Sequence, residues 1–138
     1  MKLSYELLKD MAEKNTYSPR SYDAFYELIN HQWESRPKLD AYWVFRNHDF
    51  LYMLFVKDGS SKNFIGFAVI DNFVLDYFEI LPSYRNKKYG TEIIKKMKKQ
   101  GLIKKVSILP HTFNFWNKFF NKKNIIIEEN IFSHFFNH

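Results

Sequence analysis

The spacing of apolar positions divides the chain in two. Leu3, Leu7, Leu8 and Met11 recur at helical intervals with charges between them, which predicts a helix over about 3–14. Ser18 followed by Pro19 is a good N-cap and first-position pair. Tyr22, Phe25, Tyr26, Ile29 and Trp33 then share one face, predicting a second helix to about Ser35. From Ala41 the pattern changes to aromatic and β-branched runs, "AYWVF", "DFLYMLFV", "NFIGFAVI" and "FVLDYFEIL". The stretches between them, "RNHD", "KDGSSK" and "DN", favour turns. Four strands in succession predict an antiparallel meander.

Past the meander, Ile93, Ile94 and Met97 line one face of a further helix that Gly101 ends. The short run "KKVSILP" reads as a strand that returns after a helical crossover, hence parallel to its neighbour. "HTFNFWNKFFNKK" reads as a helix with Phe113, Trp116 and Phe120 inward, and "NIIIEE" with "IFSHFF" as a closing hairpin. The sum is one α+β domain over 1–138, with a central mixed, mostly antiparallel sheet flanked by helices. There is no internal repeat and no linker.

Composition narrows the class. Aromatic residues make up 20% of 138 residues and hydrophobic ones 46%, enough for a packed core and too many for a disordered tail. No apolar run approaches the roughly 20 residues that span a bilayer, and the first residues lack a secretory pattern. Cysteine is absent, which removes disulfides and thiolate chemistry; a cytoplasmic location is expected. A formal net charge of +6 favours anionic partners in general, so local placement must decide what it means.

The placement that stands out is "PSYRNKKYGTEIIKKM", Pro82 to Met97. A strand, a basic turn and a helix start form a recipe for binding phosphate. The first helical N–H groups lack intrahelical partners, and the helix dipole adds attraction for an anion. Arg85, Lys87 and Lys88 are suited to neutralise a diphosphate, and Gly90 allows close backbone approach. A lone glycine among lysines also describes an ordinary solvated loop.

The wider pattern resembles the GNAT superfamily of N-acetyltransferases. That family's signature is Arg or Gln, two residues, Gly, one residue, then Gly or Ala; Arg85, Asn86, Lys87, Lys88, Tyr89 and Gly90 fill the six positions here. Arg85 and Gly90 match, while Lys88 stands where glycine is usual. "EILPSYR", "FIGFAVI" and "FWNKFF" resemble flanking family segments, so the likeness covers about 50–136. It implies a GNAT-like acyl-CoA N-acyltransferase fold and acetyl-CoA as co-substrate, with no metal. It further implies cofactor contacts at Ile80, Leu81, Arg85, Asn86, Lys87, Lys88, Tyr89, Gly90, Thr91 and Asn117. It implies a gap between "FEIL" and "VSIL", with a β-bulge near Glu79 to Leu81. Lysine at 88 fits either a positive φ with some strain or a side chain that swings out of the way; the second is the reading adopted.

Acetyl transfer to an amine needs a base for the amine's proton. Glu79 and Asp76 lie on the motif strand, and Glu79, nearer the gap, is the preferred base. His111, a histidine at the opening of the last expected helix, is the leading acid, with Tyr77 and Tyr89 behind it. Trp116 stands where many relatives carry a tyrosine. The acceptor would meet the first helices, where Tyr17, Tyr22, Tyr26 and Trp33 lie among Asp23, Glu27 and Glu34. The leading function is an N-acetyltransferase that takes an amine of a small molecule or a protein by direct attack in a ternary complex. The alternative is a catalytically silent domain of the same fold that binds coenzyme A or a protein partner. Nucleic-acid binding through Lys87, Lys88, Lys95, Lys96, Lys98 and Lys99 is the weakest reading, no membrane partner is expected, and a homodimer through C-terminal strand edges is an open possibility.

Overall fold

The computed structural model describes residues 2–13, 33 and 41–128. Their elements are β1 (Lys2–Leu7), α1 (Leu8–Glu13), α2 (Ala41–Arg46), β2 (Leu51–Asp58), β3 (Ser61–Asp71), β4 (Val74–Ile80), α3 (Tyr89–Lys99), β5 (Lys105–Ile108), α4 (Phe113–Trp116) and β6 (Ile125–Ile127). Short 3-10 turns occupy Pro82–Tyr84, Pro110–Thr112 and Lys122–Asn124. The six strands form one sheet in sequence order. Pairing is antiparallel from β1 through β4 and parallel from β4 to β5 and from β5 to β6. The expected mixed, mostly antiparallel sheet is therefore present.

The N-terminal expectations need correction. The chain opens with a strand, not a helix: Leu3, Tyr5 and Leu7 also alternate, and β1 pairs with β2 from Lys2↔Lys57 to Leu7↔Tyr52. Only the second half of the helical pattern, carrying the buried Leu8 and Met11, coils into α1. "AYWVF" is the helix α2 despite its aromatic composition, because β1 already occupies the edge of β2 where another strand would pair. Asn47 closes α2, donating from both its backbone N–H and its side-chain Nδ2 to Trp43 O. The helix expected over 111–123 reduces to the single turn α4, with Trp116 and Phe120 still buried. The expected second helix, apart from Trp33, and the last strand of the closing hairpin lie outside the described residues.

The sheet separates two apolar layers. On one face Ile93, Ile94 and Met97 of α3 pack on Leu54, Ile65, Ala68 and Leu75, with Ile103, Val106 and Trp116 completing the layer. On the other, Leu8, Met11, Trp33 and Val44 cover Met53, Phe67 and Val69. Trp33 meets Phe67 edge-on at 4.7 Å between ring centres. β3 and β4 approach so closely at Gly66 that a Cβ there would lie 2.1 Å from Glu79 O. α3 ends on Gly101 at φ +74, with Leu102 N–H donating to Met97 O at 2.9 Å, a glycine-capped C-terminus.

Candidate active site

The site begins where β4 and β5 part. The two strands pair only at Val74↔Lys105 and Leu75↔Val106. Beyond that, Tyr77 to Ile80 have their ladder partners on β3 alone, and Asp76 has none on either neighbour. The opening holds a cleft of about 840 Å³ lined from β4 by Phe78, Glu79 and Ile80, from the basic turn by Arg85, Asn86 and Lys88, from α3 by Tyr89, Gly90 and Thr91, and from beyond β5 by Leu109, His111, Thr112 and Phe115. A smaller cavity of about 120 Å³ adjoins it and shares Phe78, Leu109 and Thr112; Asp76, Ser107 and Glu128 also line it.

The start of α3 faces this cleft. Its N-cap is Lys88, and no side-chain hydrogen bond caps it, so the first N–H groups are left to a ligand or water. The turn that leads in is left-handed at two non-glycine residues, Asn86 at φ 63 and Lys88 at φ 66. The preferred reading of Lys88 is thereby corrected: the position takes positive φ, and lysine carries the strain that glycine would not. A Cβ on Gly90 would meet side-chain carbons of Ile80 and Phe78 at 3.4 Å, an ordinary van der Waals contact, so packing against β4 does not require glycine there.

The β4 bulge also lies elsewhere than expected. Register passes from Val69↔Tyr77 to Ile70↔Leu75, which leaves Asp76, not Glu79–Leu81, as the extra residue. Burial pushes the Asp76 carboxyl from its usual 3.8 up to about 6, and the carboxylates of Asp71 and Glu128 add to the push. Glu128 is itself tied in place, accepting a hydrogen bond from Ser107 Oγ at 3.0 Å.

Glu79 is nearly fully buried, and its Oε2 lies 3.3 Å from Arg85 Nη2. Arg85 Nε donates to Ile80 O at 2.8 Å. Leu81 points into the opposite apolar layer beside Phe67 and Val69. Lys87 projects outward with Nζ 5.8 Å from the Tyr84 ring. His111 is exposed on the cleft rim. Asn117 is exposed at the end of α4, where its N–H donates to Phe113 O, and it does not line the cleft. Tyr77 packs with the layer that holds Trp33. Among the described residues no three His, Asp or Glu side chains gather as metal ligands, and no helix is long and apolar enough to cross a membrane.

Sequence reasoning passed over Phe78, Leu109, Thr112 and Phe115 in the cleft and Ser107 and Glu128 beside it. The one available signal was the inference that β4 and β5 part, since parting exposes inward positions on both.

The sheet opens between two parallel strands, with an uncapped helix start and a basic turn at the mouth of the opening. The family model described as "Acetyltransferase (GNAT) family" matches residues 11–118, most of the chain, and the protein belongs to that family of acyltransferases. No curated protein matches the chain. Among solved structures, it is similar to the NatC complex bound to Gag peptide and CoA, with 18% identity, 74% of this chain and 70% of that chain covered, and a TM-score of 0.41. It is also similar to N-acetylglutamate synthase from Neisseria gonorrhoeae complexed with coenzyme A and N-acetyl-glutamate, at 9% identity, 77% and 24% coverage and a TM-score of 0.39. A third is the aminoglycoside acetyltransferase meta-AAC0020 from an uncultured soil metagenomic sample, in complex with trehalose, at 9% identity, 97% and 80% coverage and a TM-score of 0.38.

Proposed function

We propose that the protein is an acetyl-CoA-dependent N-acetyltransferase that moves the acetyl group to an amine of a small molecule or a protein by direct attack in a ternary complex. The observation that carries this reading is the uncapped start of α3 opening onto the gap between β4 and β5. The residues present suit the cofactor. A diphosphate fits N–H donors at the turn and helix start over Arg85–Thr91, with Lys87 and Lys88 adding charge. The edge of β4 that faces the gap near Ile80 and Leu81 is the place for an amide-bearing arm, although Leu81 N–H already donates to Ile65 O at 2.7 Å and Ile80 O accepts from Arg85 Nε at 2.8 Å. Asn117 is the weakest of the proposed contacts, since it stands outside the cleft. When bound, acetyl-CoA supplies an acyl group activated as a thioester.

The protein's own task is then to manage protons and exclude water. Of the two carboxylates on β4, Asp76 is better placed to take the amine's proton. It bulges out of the ladder beside the gap, and its affinity for protons sits close to neutral pH. Glu79 keeps its place as the second candidate, although its carboxylate is engaged with Arg85. His111 on the rim is the candidate donor of a proton to the departing thiolate. Phe78, Leu109 and Phe115 supply apolar walls that keep bulk water from the acyl group.

The test is direct. Acetyl-CoA is titrated into the protein, and thiol release is followed with a panel of amines and peptides. Binding with amine-dependent release supports the enzyme. Binding with no release from any amine would favour the silent domain of the same fold, and no binding would remove both. Two variants refine the assignment: Asp76→Asn should lower turnover at least about a hundredfold, the usual worth of a general base, and His111→Ala should lower it far less.

A further inference from the structure

Arg85 would ordinarily be counted as a cation for the diphosphate, yet its side chain is engaged with the end of β4. Its Nε donates to Ile80 O at 2.8 Å, and its Nη2 lies 3.3 Å from Glu79 Oε2. Both acceptors belong to the last two residues of β4, just before the chain leaves the sheet. Glu79 is only 7% exposed, so its carboxylate sits in a medium where a paired guanidinium counts for much more than at the surface.

The backbone here needs such a fastening. Beyond β4 the chain turns through Pro82–Tyr84, whose hydrogen bonds are short-range: Tyr84 N–H to Leu81 O and Arg85 N–H to Pro82 O. It then passes through left-handed Asn86 and Lys88 before α3 begins. Two non-glycine residues at positive φ persist only where surrounding contacts hold them. No side chain caps the helix start to share that work.

We infer that Arg85 is a positioning residue: its guanidinium, clasped to Glu79 and to the carbonyl of Ile80, fastens the basic turn to the end of β4 and so aims the donors of α3 at the cofactor. This deepens the proposed function and rests on it for the identity of the ligand. Glu79 belongs to the same clasp, which leaves Asp76 as the β4 carboxylate for proton transfer. A lysine at 85 keeps the charge but has no planar fork to reach both acceptors together, so charge and clasp separate by mutation.

Coenzyme A is titrated calorimetrically into the wild type, Arg85→Lys, Arg85→Gln, Glu79→Gln and the double variant Glu79→Gln/Arg85→Gln, at several salt concentrations. The double variant guards against misfolding, since it removes both charges of the Arg85–Glu79 pair together. Amide exchange at Leu81, Tyr84 and Arg85 is followed in the ligand-free proteins. Arg85→Lys and Arg85→Gln should weaken binding equally, about tenfold, the worth of one charge-assisted hydrogen bond. The double variant should be no worse than Arg85→Gln, and every Arg85 variant should keep the wild-type salt dependence and exchange faster at the three amides. Wild-type affinity in Arg85→Lys beside a loss and a flatter salt dependence in Arg85→Gln would overturn the inference, because the side chain would then be acting as a charge on the diphosphate. Additive losses, or unchanged exchange, would overturn it as well. Failure of the wild type to bind coenzyme A would instead sink the proposed function, while the exchange rates of the ligand-free protein still judged the clasp.

Discussion

Single residues in this protein show how far chemistry follows from identity and how far from surroundings. The pair Arg85 and Gly90 stood out in the sequence through its resemblance to the GNAT signature, at the turn into a helix. The left-handed backbone of Lys88 did not, because nothing in a lysine announces φ 66. Lys88→Gly should therefore stabilise the protein by about 0.5 kcal/mol, relief of strain outweighing the greater freedom of glycine in the unfolded chain. Asn86→Gly should change stability little, since asparagine tolerates this region; chemical denaturation of both variants checks the contrast. Asp76 is the matching case in electrostatics. An unfolded Asp76 protonates around 3.8, whereas the folded one protonates at about 6. Between those values the folded state binds more protons, so stability should fall as pH rises from about 4 to about 6 and level off above. Denaturation across that window should show the decline, and Asp76→Asn should flatten it. The same ionisation should give the acid limb of kcat/KM, rising through pH 6, and that limb should vanish in Asp76→Asn. The groups that bear on this carboxyl are Asp71 at the end of β3 and Glu128 after β6.

At the scale of elements, the strongly patterned segments and the short strands β5 and β6 were readable, whereas the first residues and "AYWVF" were not. β2, β3 and β4 announced themselves through bounded runs of β-branched and aromatic residues, and α3 through Ile93, Ile94 and Met97. The first residues supported two periods at once, with Leu3, Tyr5 and Leu7 for a strand and Leu7, Leu8 and Met11 for a helix. The free edge of β2 decided between them. The bulge at Asp76 was equally hidden, since one extra residue in a ladder depends on the partner strand. Two glycine substitutions separate close approach from simple tolerance. Gly66→Ala places a methyl group on Glu79 O and must push β3 from β4, costing about 3 kcal/mol. Gly90→Ala meets its neighbours at ordinary contact distance and gains helix propensity, so it should leave stability unchanged or raise it by up to ~1 kcal/mol. Thermal melts should thus place Gly66→Ala well below the wild type and Gly90→Ala at or above it.

The molecule as a whole is a sheet with two apolar faces, and the opening between β4 and β5 coincides with the basic turn that leads into α3. Binding and stability should accordingly be linked: coenzyme A at a hundred times its dissociation constant should stabilise the fold by about 2.7 kcal/mol. Sulfate at equal ionic strength, which lacks the arm that would lie along β4, should fall well short of that in the same melting experiment. The net charge of +6 explains attraction for anions in general and nothing about where they settle. By itself the sequence determined the strand runs, the crossover helix and the motif at its head, because those depend on periodicity and on residue types next to one another. Only the tertiary structure decided that the opening residues pair as a strand, that Asp76 bulges, and that Arg85 and Glu79 face each other. Each of these is a relation between segments that the sheet brings together, and no local pattern along a chain encodes which distant backbone will lie beside it.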